Sequence, residues 1–197
     1  MSDKLDLKKA DKPYYAGKAL RWDRITLPKL RYLAVAGHGA PESDAYGEAM
    51  TQLYPVAYGV KFACKAEDRD FVVPPLSTQW WAQDPSAFTQ GRRDEWQWQA
   101  MIRMPDFVTR ERVQAAMDTK GVEGVSLIEL EEGDCFQTLH LGPYAEEGPV
   151  LERLHDEIMP EAGVTFGLPH HEVYLSDPRR VAPEKLKTIL RQPVVPK

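Results

Sequence analysis

Arg31-Tyr-Leu-Ala-Val-Ala-Gly37, continued by His38-Gly-Ala-Pro41 and by the run from Asp44 to Lys65, is the stretch that decides the fold. Its aliphatic residues are the composition of a strand, and the glycines and proline from Gly37 to Pro41 end that strand in a turn. Tyr46, Met50, Leu53, Ala57, Val60 and Cys64 then recur every four or three residues, which is one face of a helix. Pro55 lies inside this helix, where it removes a backbone donor at a cost of roughly 3 kcal/mol. A kink or break is expected just before it. Phe71 to Trp81 and Trp96 to Met104, separated by Asp84-Pro-Ser-Ala and Gln90-Gly-Arg-Arg-Asp94, read as two antiparallel strands.

Downstream, nearly the same order returns. A short helix is expected from Thr109, its N-cap, to Lys120, with Gly121 past its end. Val125 to Glu131 and Cys135 to Leu141 read as two short strands of a hairpin around Glu132-Gly-Asp134. Glu147 to Met159 reads as a helix with acids at its start, Pro149 in its first turn and Pro160 as its stop. His170 to Leu175 reads as a strand ending at Ser176-Asp-Pro178, and Pro183 opens a last helix carrying Leu186, Ile189 and Leu190. The two strand-turn-helix units also echo each other: Gly47-Glu-Ala-Met-Thr-Gln-Leu-Tyr54 follows His38-Gly, and Gly148-Pro-Val-Leu-Glu-Arg-Leu-His155 follows Leu141-Gly. The fold class expected is α+β, a duplicated β-α-β-β unit in one domain over 1–197. Its halves span about 25–107 and 122–192, after an N-terminal extension, 1–24.

Bulk properties narrow the function. A chain of 197 residues, 43% hydrophobic and 28% charged, is long enough to bury a sizeable core. Its net charge of −5 argues against phosphate-backbone binding as the main task, so no nucleic-acid partner is expected. The polar N-terminus lacks the apolar run of a signal peptide and no apolar stretch is long enough to span a bilayer, so a cytoplasmic location without a membrane partner is expected. Cys64 and Cys135 have no CxxC companions and read as small buried hydrophobes. Phosphate-loop, dinucleotide, GxSxG and HExxH signatures are absent from the sequence, and no cofactor is expected.

The strand His170-His-Glu-Val-Tyr-Leu175 carries the strongest sign of chemistry. Alternation puts Val173 and Leu175, with His171, on one face, expected to pack against helices, and His170, Glu172 and Tyr174 on the other. An acid in mid-strand is unfavourable unless its face is wet or lines a site. Desolvation there raises a carboxyl pKa, fitting Glu172 to attract a cation or to hold a proton or water; the plain alternative is a solvated glutamate. Adjacent histidines point to opposite faces, which speaks against a metal site at His170, His171 and Glu172. Trp96 and Trp98 alternate onto one face, with Trp80 and Trp81 on the partner strand. With Tyr144 they suit a cage around a planar or cationic ligand, each good contact with a cation contributing about 0.5–2 kcal/mol; the alternative for any single ring is plain core. Tyr54 and Tyr58 stand one turn apart on the first helix, fit either to cover the sheet or to face a ligand.

Gly142-Pro-Tyr144, Trp98 through Arg103-Met-Pro-Asp-Phe107, and His170-His-Glu-Val-Tyr-Leu-Ser-Asp-Pro-Arg179 ahead of Glu184-Lys-Leu-Lys-Thr-Ile-Leu-Arg191 resemble the GyrI-like small-molecule-binding family over roughly Lys29 to Pro193. The resemblance implies a curved antiparallel sheet with helices on one face and a ligand groove on the other. It also implies that Glu172 is the acid held in that groove, as the catalytic residue of a hydrolytic version. Tyr144, Trp98, Tyr174, Trp81, Trp96, Tyr58 and His170 are the expected ligand contacts. A stand-alone subgroup of similar length hydrolyses cyclopropanoid DNA-alkylating compounds, whereas other relatives sense drugs or inhibit gyrase. Pro55 departs from the family pattern. A small-molecule hydrolase, a non-catalytic binding or sensing module and a gyrase-inhibitor-like interaction protein therefore stand as readings; the sequence does not fix the oligomeric state.

Overall fold

The structure, a computed structural model, describes residues 4–197. The chain forms two compact units, one of residues up to Lys12 with Leu30–Leu130 and one of Pro13–Lys29 with Glu131–Lys197. Strands β1 (Asp23–His38) and β4 (Ser126–Leu141) each run from one unit into the other. The described part of the segment read as an N-terminal extension is divided between the units at Lys12.

In the first unit β3 (Gln97–Met104) lies between β1 and β2 (Leu76–Trp81), all antiparallel, with Gly37 and Trp80 both opposite Trp98. Alternation puts Trp98, Ala100, Ile102 and Met104 on one face of β3. The helix Asp44–Ala66 covers that face with Leu53, Val56, Ala57 and Val60, all fully buried. The Ser43 hydroxyl caps this helix, accepting from the Tyr46 amide at 3.3 Å. The helix runs through Pro55 as one element, so of the kink or break expected there the break does not occur. Burial of each neighbouring aliphatic side chain contributes about 1.5–3 kcal/mol, which together outweigh one lost backbone bond. The second helix, Arg110–Lys120, begins at a Thr109 cap and ends at Gly121 in the left-handed region (φ 62°), as its sequence signals. It approaches the first closely: a Cβ on Gly59 would lie 3.2 Å from Ala116 Cβ.

The second unit repeats this plan. β7 (Lys187–Pro196) lies between β4 and β6 (His170–Tyr174), again antiparallel, with Thr138 and Glu172 both opposite Leu190. The order strand, helix, strand, strand, with the last strand in the middle, therefore occurs twice in an α+β fold. A further short strand, β5 (Val164–Phe166), pairs with the end of β7. The helical segment consists of Gly148–Arg153, a π turn Leu154–Ile158 and Met159–Glu161. Its Leu154 and Met159 pack with Phe136, Val164 and Val194. Among the described residues no helix is long and apolar enough to cross a membrane.

Three local expectations are corrected here. The hairpin expected at Glu132-Gly-Asp134 is one continuous strand, because Gly133 takes a left-handed conformation (φ 64°) within β4 and the Glu132 side chain is buried. Pro160 does not stop the helix but sits in its last turn, and Gly163 (φ 66°) follows. The helix expected after Pro183 is only a 3-10 turn, Pro183–Lys185, followed by β7. Leu186, Ile189 and Leu190 happen to match a helical period. Pairing on both edges, with Thr188 to Val194 buried without a gap, makes this run a central strand instead.

Candidate functional site

The second unit gathers the chemistry. In β6, His171 and Val173 are buried while His170, Glu172 and Tyr174 are half-buried, the expected alternation. Opposite Glu172 and Tyr174 stand Leu190 and Thr188 of β7, and beyond them Thr138 and His140 of β4. These share a sheet face with Phe136, which packs under the helical segment. The acid-bearing face is therefore the helix-covered one, the reverse of the packing expected for Val173 and Leu175. The turn Tyr144–Glu146 and the N-cap Glu147 that lead into the helical segment lie beside Tyr174 and Glu172.

Tyr174 donates its hydroxyl to Glu172 Oε2 at 2.8 Å, and His170 Nε2 lies 3.6 Å from Glu172 Oε1. The Tyr144 ring meets the Tyr174 ring edge-on at 5.6 Å. Glu147, at the N-cap of the helical segment, is 5% exposed, and its Oε1 has no hydrogen-bond partner. Burial, reinforced by the nearby Glu172, pushes the Glu147 carboxyl up to about 9. A helix start ordinarily favours a carboxylate, so burial and like charge win here. The Tyr144 hydroxyl is pushed up to about 12 by burial and by Glu147, Glu172 and Asp177. The π turn, a feature that often marks functional helices, carries His155, whose ring contacts Phe166 at 4.9 Å. Burial and the adjacent His170 lower its pKa. Among the described residues no group of three His, Cys, Asp or Glu is placed to hold a metal.

The opposite sheet face holds a buried network. Glu132 binds His171 Nδ1 at 2.8 Å and accepts from Arg191 Nη1 at 2.9 Å. Arg191 also donates to Gln137 Oε1 and the Tyr14 carbonyl, and Gln137 to the carbonyls of Pro13 and Ala16. Burial pushes the Glu132 carboxyl up, but His171 and Arg191 together outweigh it and hold it at about 2.

The first unit treats the equivalent place differently. The echo aligns Gly47 with Gly148 and His38-Gly with Leu141-Gly, and the strand registers then set Thr78, Trp80, Trp98 and Gly37 against Glu172, Tyr174, Thr188 and His140. Tyr46 matches Glu147. In the first unit Tyr46 shares a 2.6 Å hydrogen bond with Thr78, and its ring lies against Trp80 and edge-on to Trp98. One copy of the motif is filled with aromatic rings; the other carries acids, histidine and phenols.

Of the residues singled out in the sequence, Glu172, Tyr174, His170 and Tyr144 come together in the second unit. Trp98 is 1% exposed in the helix-side core of the first unit, with Trp96 packed against that core at its edge. Trp81 is on the opposite face of its sheet, donating to Gln97 at 3.0 Å. Tyr58 is 45% exposed on its helix, beside Phe62. Glu147 and His155 escaped the sequence reading. The echo contained the signal for both, since they match Tyr46 and Tyr54.

Residues 23–195 match the family model described as a GyrI-like small molecule binding domain. Two solved structures, each a hydrolase from Listeria innocua, are similar at 38% and 37% identity, covering 98% of this chain and 100% of theirs, with TM-scores of 0.83 and 0.87. The C-terminal domain of EcmrR shares the fold at 11% identity, with a TM-score of 0.60 over 90% of this chain and 98% of its own. No curated protein matches.

Proposed function

Because this chain belongs to the GyrI-like small-molecule-binding family, we propose that it binds compact aromatic or cationic compounds against Glu172 and hydrolyses strained electrophiles among them, cyclopropanoid DNA-alkylating compounds in particular. The observation that carries this reading is the Glu172 carboxylate, fixed by the Tyr174 hydroxyl at 2.8 Å beside the Tyr144 ring. Support also comes from the extensive similarity to proteins described as hydrolases.

In the proposed reaction the electrophile stacks on Tyr144, and Glu172 takes a proton from a water as its oxygen attacks the cyclopropane carbon. The carbon–carbon bond breaks, its electron pair passes into the conjugated carbonyl, and a proton completes the phenol, so that one water is added overall. Tyr174 keeps Glu172 aimed. The test is incubation of the purified protein with a spirocyclopropyl cyclohexadienone, followed by mass spectrometry. A product one water heavier is expected, with turnover falling about 10²–10⁴-fold in Glu172→Gln. Tight binding without that product would make the protein a binding module instead.

A further inference from the structure

We infer that Glu147 is a second functional acid of this site, which holds a proton when the site is empty or binds a neutral ligand and releases it when an organic cation binds. The inference rests on the reading of the Glu172 site as the ligand site, and goes beyond it by making the site's charge adjustable.

The geometry carries the argument. Glu147 ends the turn that begins at Tyr144, whose ring meets Tyr174 beside Glu172, and it feels the Glu172 charge. Among the described residues neither is paired with a lysine or arginine. Glu172 has a donor in Tyr174 and a nearby His170, whereas Glu147 Oε1 is buried with no hydrogen-bond partner. A carboxylate so placed has one buried oxygen without a donor and no cation beside it, and it sits next to another carboxyl; a proton relieves both penalties. The groups around it do not supply the missing positive charge. Tyr144 and Glu146 stand in the turn before it, Asp177 beyond β6, His155 on the π turn, and His140 on β4 is hydrogen-bonded to the Pro143 carbonyl. His155 itself is disfavoured as a cation by burial.

An organic cation lying on the exposed side of the Tyr144 ring, whose other side meets Tyr174 edge-on, supplies that charge. It interacts with the phenol face and makes the ionised form of Glu147 the better one, so cation in and proton out are the same event. Equilibrium linkage then requires cation affinity to rise by up to about tenfold per pH unit while Glu147 is protonated in the free protein. A neutral ligand of the same shape gives no such exchange.

A matched pair tests this: 1-methylquinolinium and its neutral counterpart 1-methylnaphthalene, titrated calorimetrically into the full chain at pH 7 in phosphate and in Tris. The different ionisation enthalpies of the buffers count the protons. About one proton released per quinolinium bound and none per naphthalene is expected, with quinolinium affinity rising between pH 6 and 8. Glu147→Gln should abolish both the release and the pH slope. Quinolinium binding to the wild type with no proton release and a flat pH profile would overturn the inference and leave the ligand site standing. Failure of both compounds to compete with or bind at the Glu172 site would overturn the site reading, and this inference with it.

Discussion

Tyr174 donates its phenolic hydrogen to Glu172 from two residues along the same strand, at 2.8 Å. Neighbours at that spacing share a face of the sheet, so the strand pre-aims a carboxylate oxygen without help from a loop. One oxygen of Glu172 is held in this way, and the other faces His170 Nε2 at 3.6 Å.

The first prediction concerns that aim. Tyr174→Phe keeps the ring against Tyr144 and removes only the donor. A hydrogen bond to a charged group contributes about 1.5–3 kcal/mol, so turnover of a cyclopropanoid substrate should fall about ten- to hundredfold in a variant that still folds, with a melting temperature lowered by about 2–4 °C per kcal/mol lost. Unchanged turnover in a folded variant would mean that the hydroxyl positions nothing.

Glu147 makes a prediction that needs no ligand. Its carboxyl is raised from 4.5 to about 9 on folding, so between those values the folded chain keeps a proton that the unfolded chain has lost. Stability must then fall as pH rises through this window, by up to about 1.4 kcal/mol per pH unit. Denaturant titrations of wild type and Glu147→Gln should agree near pH 4.5, and the variant should become the more stable by a few kcal/mol toward pH 9. A constant difference across that range would show that Glu147 titrates like a surface carboxyl.

Glu132 carries the opposite sign. Its carboxyl is held down from 4.5 to about 2 by His171 and Arg191 against the cost of burial. The stability it contributes is present above about 4.5 and is lost as pH falls toward 2. Arg191→Met leaves a buried carboxylate short of one of its two cations and should cost about 3–5 kcal/mol at neutral pH. Because Arg191 also holds the Tyr14 carbonyl, proteolysis near residues 13–16 should accelerate in the same variant; protection equal to wild type would separate that segment from the network.

A fourth prediction tests the aromatic copy of the motif. A Cβ on Gly37 would fall 2.4 Å from the Trp98 ring, so Gly37→Ala should cost about 1–3 kcal/mol through overpacking. Trp98→Ala should cost about 3–5 kcal/mol through the cavity it leaves. In a double-mutant cycle the alanine at Gly37 should be tolerated once the ring is gone. Strict additivity of the two losses would deny the contact.

Local patterning alone determined much of this protein. The spacing Leu53, Ala57, Val60, Cys64 fixes which side of the first helix is buried, the Thr109 and Gly121 caps fix the second, and the alternation of His170, Glu172 and Tyr174 fixes which side chains share a face. These readings depend on short-range periodicity and capping, which neighbouring residues specify. Tertiary structure decided the rest. Leu186, Ile189 and Leu190 fit a helix by spacing, and only pairing with β4 and β6 puts Ile189 and Leu190 in a strand that starts just after Leu186. Which face of β6 meets the helix, and so whether Glu172 lies under Tyr144 or away from it, depends on packing between elements far apart in sequence. Glu147 shows the same limit: in sequence it is one more acid at a helix start, and only burial beside Glu172 turns it into a group that keeps its proton.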